Sequence, residues 1–203
     1  MATPTLISVS NVTLPSSADS GDVAVTIPSG ANACVVGGTF YAGAASPITA
    51  MSGSKMGTFT FLTENPSVDD MEAYLGYAAV TGMGSATIRI VKGTAAYMEG
   101  PTCQIAWLTV DNPADFMRAI DLSTALGGAS HAVLSASVAS TAADLVLRWD
   151  GKDNSFGGLL DLVAQSGWTQ QGTGQSNNND HSKVFSADAP GASTTTATTP
   201  DLQ

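Results

Sequence analysis

The chain has 203 residues, of which 43% are hydrophobic and only 12% are charged. This length and apolar share suit one large domain with a substantial core. The formal net charge is −10, and the seven Lys and Arg residues stand singly along the chain, which argues against nucleic acid and acidic membranes as partners.

Residues 1–19 are expected to form an N-terminal arm and a first strand. The opening sequence MATPTLISVSNVTLP lacks a basic region followed by an apolar one, so no secretory signal peptide is predicted. No apolar run approaches the roughly 18 residues that a membrane span requires. We therefore expect synthesis in a cytoplasm without export by the secretory route.

The first half of the chain predicts half-buried antiparallel strands, because apolar and polar residues alternate with a period of two. In the earliest such segment, Val23, Val25 and Ile27 fall on one face. The same spacing puts Phe59 and Phe61 on a shared face. The segments with this signal are 22–27 (DVAVTI), 33–41 (ACVVGGTFY), 57–63 (GTFTFLT) and 85–93 (SATIRIVKG).

Segment 102–110, TCQIAWLTV, is continuously apolar and predicts a central strand covered on both sides. Further strands are predicted at 131–139, at 143–151 with Leu145, Leu147 and Trp149 on one face, and at 183–188. Loops are predicted between the strands, at 51–57, 81–85, 151–158 and 172–182. The Asp150-Gly151 pair predicts a hairpin turn, with a calcium loop in WDGKDN as the alternative.

Helix signals are few. Segment NPADFMRAIDLS predicts one short helix, with Asn112 as its N-cap and Pro113 at the first helical position. A helical turn could also follow Pro66, although AYLGYAAV within the same segment is equally typical of a strand. The expected fold is therefore all-β: a jelly-roll-like antiparallel β-sandwich over residues 20–188, with one or two short helices and extended termini.

Side chains that could carry chemistry are scarce. Cys34 and Cys103 lie in strand-like runs, where buried thiols are the first interpretation, a disulfide the second and a nucleophile the third. The adjacent acidic residues of VDDME suit a solvated helix start or loop. His131 and His181 have no motif that would make them metal ligands. We expect no enzyme activity and no cofactor.

Aromatic residues leave a binding function open. Trp107 and Trp149 lie in alternating apolar runs and are expected in the core. Trp168 follows Ser166-Gly167 and is the candidate for an exposed ligand surface, together with Asn178 and Asp180 of the Asn-rich segment. The alternative function is therefore carbohydrate binding by a β-sandwich.

Several segments together resemble jelly-roll β-sandwich domains of bacteriophage virion proteins, over roughly residues 20–188. They are ACVVGGTFY, SATIRIV, CQIAWLTVDNP, ADLVLRW and SGWTQQG. The likeness includes a Val-Asp-x-Pro-like turn after an apolar strand and a later Gly-Trp followed by polar residues. It implies a capsid decoration or cement protein, assembled as a homotrimer in the virion and bound to the major capsid protein or other virion proteins. It implies no catalytic residues. The alternative that it leaves is a carbohydrate- or receptor-binding β-sandwich component of a phage tail or spike.

The last residues, 189–203, are rich in Ala, Thr, Ser and Pro and are expected to form an extended tail. A segment without a core of its own gains order only by packing on another surface, because fixing each residue costs roughly 1–2 kcal/mol of backbone entropy. The tail is therefore expected to contact a neighbouring subunit. The candidate contact residues are Pro190, Thr194, Thr195, Thr196, Pro200 and Leu202.

Overall fold

The structure is a computed structural model that describes residues 3–15, 22–42, 48–64, 70–92, 98–99, 102–120, 135–138, 140–141, 143–153, 166–177, 180–188 and 195–198. Within these ranges the regular secondary structure is all β, and every strand pairing is antiparallel. The predicted all-β class is confirmed, whereas the predicted short helices do not occur in the described part.

The strands are, in chain order, β1 (Thr5–Asn11), β2 (Asp22–Ile27), β3 (Ala33–Ala42), β4 (Ile48–Gly53), β5 (Thr60–Glu64), β6 (Asp70–Ala79), β7 (Gly84–Lys92), β8 (Met98–Glu99), β9 (Gln104–Thr109), β10 (Ser135–Val138), β11 (Leu145–Asp153), β12 (Thr169–Asn177), β13 (Asp180–Asp188) and β14 (Thr195–Thr198).

Four sheets organise these strands. The central sheet has the order β1-β9-β3-β6-β5, with β8 also paired to β3. The facing sheet has the order β2-β7-β4, and the outer sheet has the order β11-β13-β12. A fourth, two-stranded sheet consists of β10 and β14, and we call it the terminal ladder. The arrangement is sandwich-like, because apolar side chains of the central and facing sheets share one core.

That main core confirms the alternation predicted from the sequence. Val25 and Ile27 of the facing sheet are buried in the same cluster as Val36, Phe40 and Trp107 of the central sheet. Phe59 and Phe61 also pack together on this cluster, as their spacing predicted. The indole N–H of the fully buried Trp107 donates to the Ser10 hydroxyl at 2.9 Å, so its one polar atom is satisfied.

The central sheet is covered on its second face as well, which explains the continuous apolar run of β9. Five consecutive residues of that strand, Gln104–Leu108, are buried. Ile105 lies in the main core, whereas Ala106 belongs to a second cluster. Leu145, Leu147 and Trp149 of β11 pack on that second cluster from the outer sheet, and their predicted common face is confirmed.

A glycine makes this third layer possible. A Cβ atom added to Gly37 on β3 would lie 2.8 Å from Cδ1 of Trp149 and 2.9 Å from Cδ1 of Leu75. Real Cβ atoms essentially never come within 3.0 Å of another heavy atom. The indole therefore lies directly on the backbone of the central sheet only because residue 37 has no side chain.

The helix predicted to start at Asn112 is wrong over the described residues 112–120, which form a turn followed by irregular chain. Asn112 does act as a local cap: its Oδ1 accepts from the Ala114 N–H at 3.3 Å, and its carbonyl accepts from the Asp115 N–H at 3.1 Å. The chain then leaves the helical path, because Phe116 and Met117 pack on the second cluster. Burial of these two side chains outweighs the local helix signal.

Three predicted turns or loops lie wholly or partly in strands. Asp150 and Gly151 pair with Lys183 and Ser182 inside β11–β13, so the predicted hairpin turn is wrong. The predicted loop 172–182 contains the ends of β12 and β13, which pair up to Asn177↔Asp180. The predicted loop 51–57 begins inside β4. In the segment after Pro66, β6 confirms the strand interpretation from residue 70 onward.

Candidate functional site

A search for a metal site finds none in the described residues: they contain no group of three or more His, Cys, Asp and Glu side chains that could hold a metal ion. His131 and Asp69 lie outside the described residues, and the side chain of His181 is not part of the description. No helix in the described ranges is long and apolar enough to cross a membrane.

The two cysteines are separate, buried thiols, as the first interpretation of the sequence predicted. Burial raises the pKa of Cys34 to about 12, although its thiol donates to the Ala78 carbonyl at 3.6 Å. Burial likewise raises the pKa of Cys103 to about 12, despite its contact with the Tyr74 hydroxyl. Because the thiolate is the reactive form, burial and the raised pKa values disfavour a nucleophilic role for either thiol.

The terminal ladder contains part of the predicted tail. Residues Thr195 and Thr196 lie in β14 and pair with Val138 and Ser137 of β10. The tail segment therefore contributes a strand, rather than only unpaired extended chain. The remaining predicted contact residues, Pro190, Thr194, Pro200 and Leu202, lie outside the described residues.

The terminal ladder continues the register of the outer sheet. Strands β11 and β13 begin their pairing at Leu145↔Asp188, and β10 and β14 resume it at Val138↔Thr195. The two connections have equal length, six residues each, at 139–144 and 189–194. The two ladders therefore pair residues with the same offset, although they are separate sheets. Sequence analysis missed the terminal ladder, because its two strands lie far apart in the chain.

A turn stabilised by polar contacts precedes β11, at residues 141–144. The Asp144 N–H donates to the Thr141 carbonyl at 2.9 Å, and the Thr141 N–H donates to Asp144 Oδ2 at 2.6 Å. Arg118 Nη1 bridges both carboxylate oxygens at 3.0 Å. Desolvation alone would raise the pKa of Asp144, but the Thr141 and Arg118 contacts outweigh it and lower the pKa below its usual value.

Open strand edges are a second feature of the described chain. Among the described strands, β10 and β14 pair only with each other, and β1 and β5 are the outermost strands of the central sheet. Each of these outermost strands carries a large apolar side chain at the surface: Ile7 is 36% exposed and Leu62 is 39% exposed. Strand β12 contacts β1, where Asn11 Nδ2 donates to the Gly174 carbonyl at 2.6 Å. Strand edges without a partner are where another chain can add a strand.

The predicted ligand surface around Trp168 is only partly present. Trp168 is half-buried, and the guanidinium carbon of Arg148 lies 4.7 Å from the centroid of its ring. This cation–π contact occupies one face of the indole, so that face is not available for stacking on a sugar. Asp180 pairs with Asp153 and Asn177 at the start of β13, and Asn178 lies outside the described residues.

An apolar cavity of about 120 Å³ separates the central sheet from the segment 116–120. Leu75 and Leu108 of the central sheet, Leu147 and Trp149 of β11, and Phe116 line it. The ring of Phe116 packs edge-on against Tyr77 with centroids 5.6 Å apart, which holds the segment over the sheet. Sequence analysis missed the cavity, because no local pattern places segment 116–120 over strands β3, β6 and β9.

Comparison with protein-family models, with curated proteins and with solved structures finds no match.

Proposed function

We propose that the chain is a phage virion structural protein of jelly-roll-like architecture, a decoration or cement protein that stabilises a capsid shell. The observation that carries this proposal is the terminal ladder. The predicted tail takes up β structure by strand pairing, in a two-stranded ribbon whose strands pair only with each other among the described strands. A ribbon of this kind is suited to pairing with a strand of a neighbouring subunit.

The rest of the described molecule supports a scaffold role. Its three packed layers bury the central sheet on both faces, which makes the body rigid. The edges β1 and β5 present Ile7 and Leu62 for further contacts. An interface of about 800 Å² on each partner is typical of stable association. Many such contacts around a shell add avidity, so each single contact can be weak.

The proposed partners are the major capsid protein and further copies of this chain, with a homotrimer as the oligomeric state. Recognition in this account uses main-chain hydrogen bonds at strand edges and burial of apolar side chains. It requires no cofactor and no catalytic step. The proposed location is accordingly the virion.

The test is addition of the purified chain to capsid shells that lack it. We expect saturable binding in sedimentation and a higher disruption temperature of the loaded shells. Removal of residues 189–203 should reduce the bound amount, because β14 is lost. The matched control is Leu147→Ile, which leaves both the ribbon and the edges in place. The proposal would be contradicted if the shells did not bind the full-length chain, either as a monomer or as a trimer.

The carbohydrate-binding alternative is tested with the same preparations. Trp168→Ala removes the aromatic ring but leaves the terminal ladder unchanged. The decoration proposal predicts that this variant binds shells as the parent chain does. The alternative would be supported by two results together: the parent chain binds a glycan saturably but does not bind shells, and Trp168→Ala abolishes the glycan binding.

A further inference from the structure

The cavity beneath segment 116–120 carries an inference that is independent of the proposed function. Its floor is the second face of the central sheet, at Leu75 and Leu108. One wall is β11, with Leu147 and Trp149, and the other wall is the segment that contains Phe116. Three different parts of the chain therefore line a space that is mostly apolar and partly open to solvent.

The polar groups of the cavity leave it without net charge. Arg118 and Asp144 both line it, and they pair with each other at 3.0 Å. The indole Nε1 of Trp149 is buried and has no hydrogen-bond partner in the described part of the chain. Because this N–H is covered, it does not help to hold a water molecule in the cavity. A buried water needs about two to four polar partners, so the apolar part of this space favours a hydrocarbon over water.

We propose that the cavity binds one small, neutral, apolar molecule, about the size of a single six-membered carbon ring. The size follows from the volume of about 120 Å³. An engineered protein cavity of about 150 Å³ with Leu, Ile and Phe walls stays dry and binds benzene. A larger ring system would have to push segment 116–120 away from the sheet.

The charge of the ligand follows from the ion pair. A carboxylate placed beside Arg118 would also lie beside Asp144, whose carboxylate already accepts hydrogen bonds from Arg118 and Thr141. Binding an anion would therefore require breaking the existing pair or burying a second negative charge next to it. Either change is unfavourable in a partly apolar site. The site thus selects neutral molecules.

The experiment compares benzene with benzoate as probes of the full-length chain. Benzene should raise the unfolding temperature in a saturable way and should change the fluorescence of Trp149, which lines the cavity. Benzoate should bind about tenfold more weakly or worse, because its charge must be desolvated beside Asp144. Trp168→Phe removes an indole that does not line the cavity, so it should keep both the fluorescence change and the rise in unfolding temperature.

Two filling variants locate the site. Leu147→Phe fills the cavity from β11, and Met117→Phe fills it from the opposite wall, so one variant serves if the other does not fold. We expect either to weaken benzene binding at least about tenfold. The matched control, Leu62→Phe, places the same ring on an exposed edge strand and should bind benzene as the parent chain does. Any of three results would overturn the inference. Benzene could have no saturable effect, a folded filling variant could bind benzene as well as the parent chain does, or benzoate could bind as tightly as benzene. Shell binding is not part of any of these readouts.

Discussion

Replacing Gly38 by Ala tests how the end of β3 is packed. A Cβ atom at this position would fall far inside contact distance of the Thr102 carbonyl oxygen, and it would lie 2.6 Å from the Tyr74 hydroxyl. The Thr102 carbonyl is main chain and cannot rotate away. Strand β3 and the chain around Thr102 must therefore move apart.

The hydrogen bonds at this contact set the magnitude. The Thr102 N–H donates to the Thr39 carbonyl at 2.8 Å, and the Thr39 N–H donates to Thr102 Oγ1 at 2.8 Å. The Tyr74 hydroxyl donates to the Thr102 carbonyl at 2.6 Å. Each buried bond contributes about 1 kcal/mol net, so losing all three costs about 3 kcal/mol. Overpacking adds about 1–3 kcal/mol, so we expect Gly38→Ala to lower the free energy of unfolding by roughly 4 kcal/mol or more.

Chemical denaturation with urea measures this difference. The matched control is Gly57→Ala, because the nearest atom to a Cβ atom at residue 57 is 3.7 Å away, an ordinary contact. That control should change the free energy of unfolding by less than about 1 kcal/mol. If Gly38→Ala were as stable as Gly57→Ala, the close approach of β3 to Thr102 would be refuted.

Three further predictions concern the titratable groups. Neither Cys34 nor Cys103 should react with a thiol reagent at pH 8 in the folded chain, and both should react after unfolding; rapid labelling of the native protein would show that they are not buried. The ordinary pKa of a thiol is 9.0, and the pKa of each thiol in the folded chain is about 12. Between pH 9 and pH 12 the folded state therefore binds more protons than the unfolded state. The free energy of unfolding should consequently fall above pH 9 by about 1.4 kcal/mol per pH unit for each thiol. Cys34→Ala should make that decline shallower in alkaline denaturation curves. The buried Tyr74 phenol should contribute to the decline at still higher pH. An unchanged slope in Cys34→Ala would contradict the raised pKa of Cys34. Asp144→Asn should lower the free energy of unfolding by about 1 kcal/mol near pH 7. The loss should shrink as the pH falls below the usual aspartate pKa, because the lowered pKa of Asp144 makes its contribution an effect of the charged form. The control Asp115→Asn, at an exposed position, should change the free energy of unfolding at pH 7 by less than about 0.5 kcal/mol.

The strands with strict alternation could be predicted from the sequence because their burial is one-sided. In β2, Val25 and Ile27 face the main core while their neighbours are exposed, and the sequence shows that difference directly. Strand β9 was also predictable, since a run buried on both faces is apolar throughout. These patterns report the environment of each side chain, so they can be recognised without knowing which strand is the partner.

The errors arose where a local signal competed with pairing to a distant strand. Asp150-Gly151 favours a turn in isolation, yet both residues continue β11 opposite Lys183 and Ser182. Asn112 forms the turn that its side chain favours, but Phe116 then packs on the second cluster instead of continuing a helix. In both places the tertiary contact contributes more than the local preference.

The candidate sites were harder to predict than the fold. The composition of residues 189–203 indicated that this segment becomes ordered only by packing on another surface. It could not indicate that Thr195–Thr198 pair with Ser135–Val138 of the same chain. The register of that pairing depends on two connections of equal length that lie about fifty residues apart, and no local pattern reports it.

The terminal ladder is the feature on which the proposed function depends, and engineered disulfides test its register. Adjacent opposed pairs in an antiparallel ladder alternate between wider and narrower Cα separations, so two neighbouring pairs are needed to include a favourable geometry. The native thiols are buried and should not compete. The in-register double variants are Ala136→Cys with Ala197→Cys and Ser137→Cys with Thr196→Cys, and the out-of-register control is Ser135→Cys with Thr195→Cys.

The deciding measurement is the mass of the oxidised, protease-digested chain, which identifies the joined residues. The account predicts that at least one in-register pair forms a disulfide within a single chain, rapidly and in high yield, while the control pair remains reduced. The account would be contradicted if the control pair cross-linked as well as the in-register pairs. It would also be contradicted if neither in-register pair cross-linked.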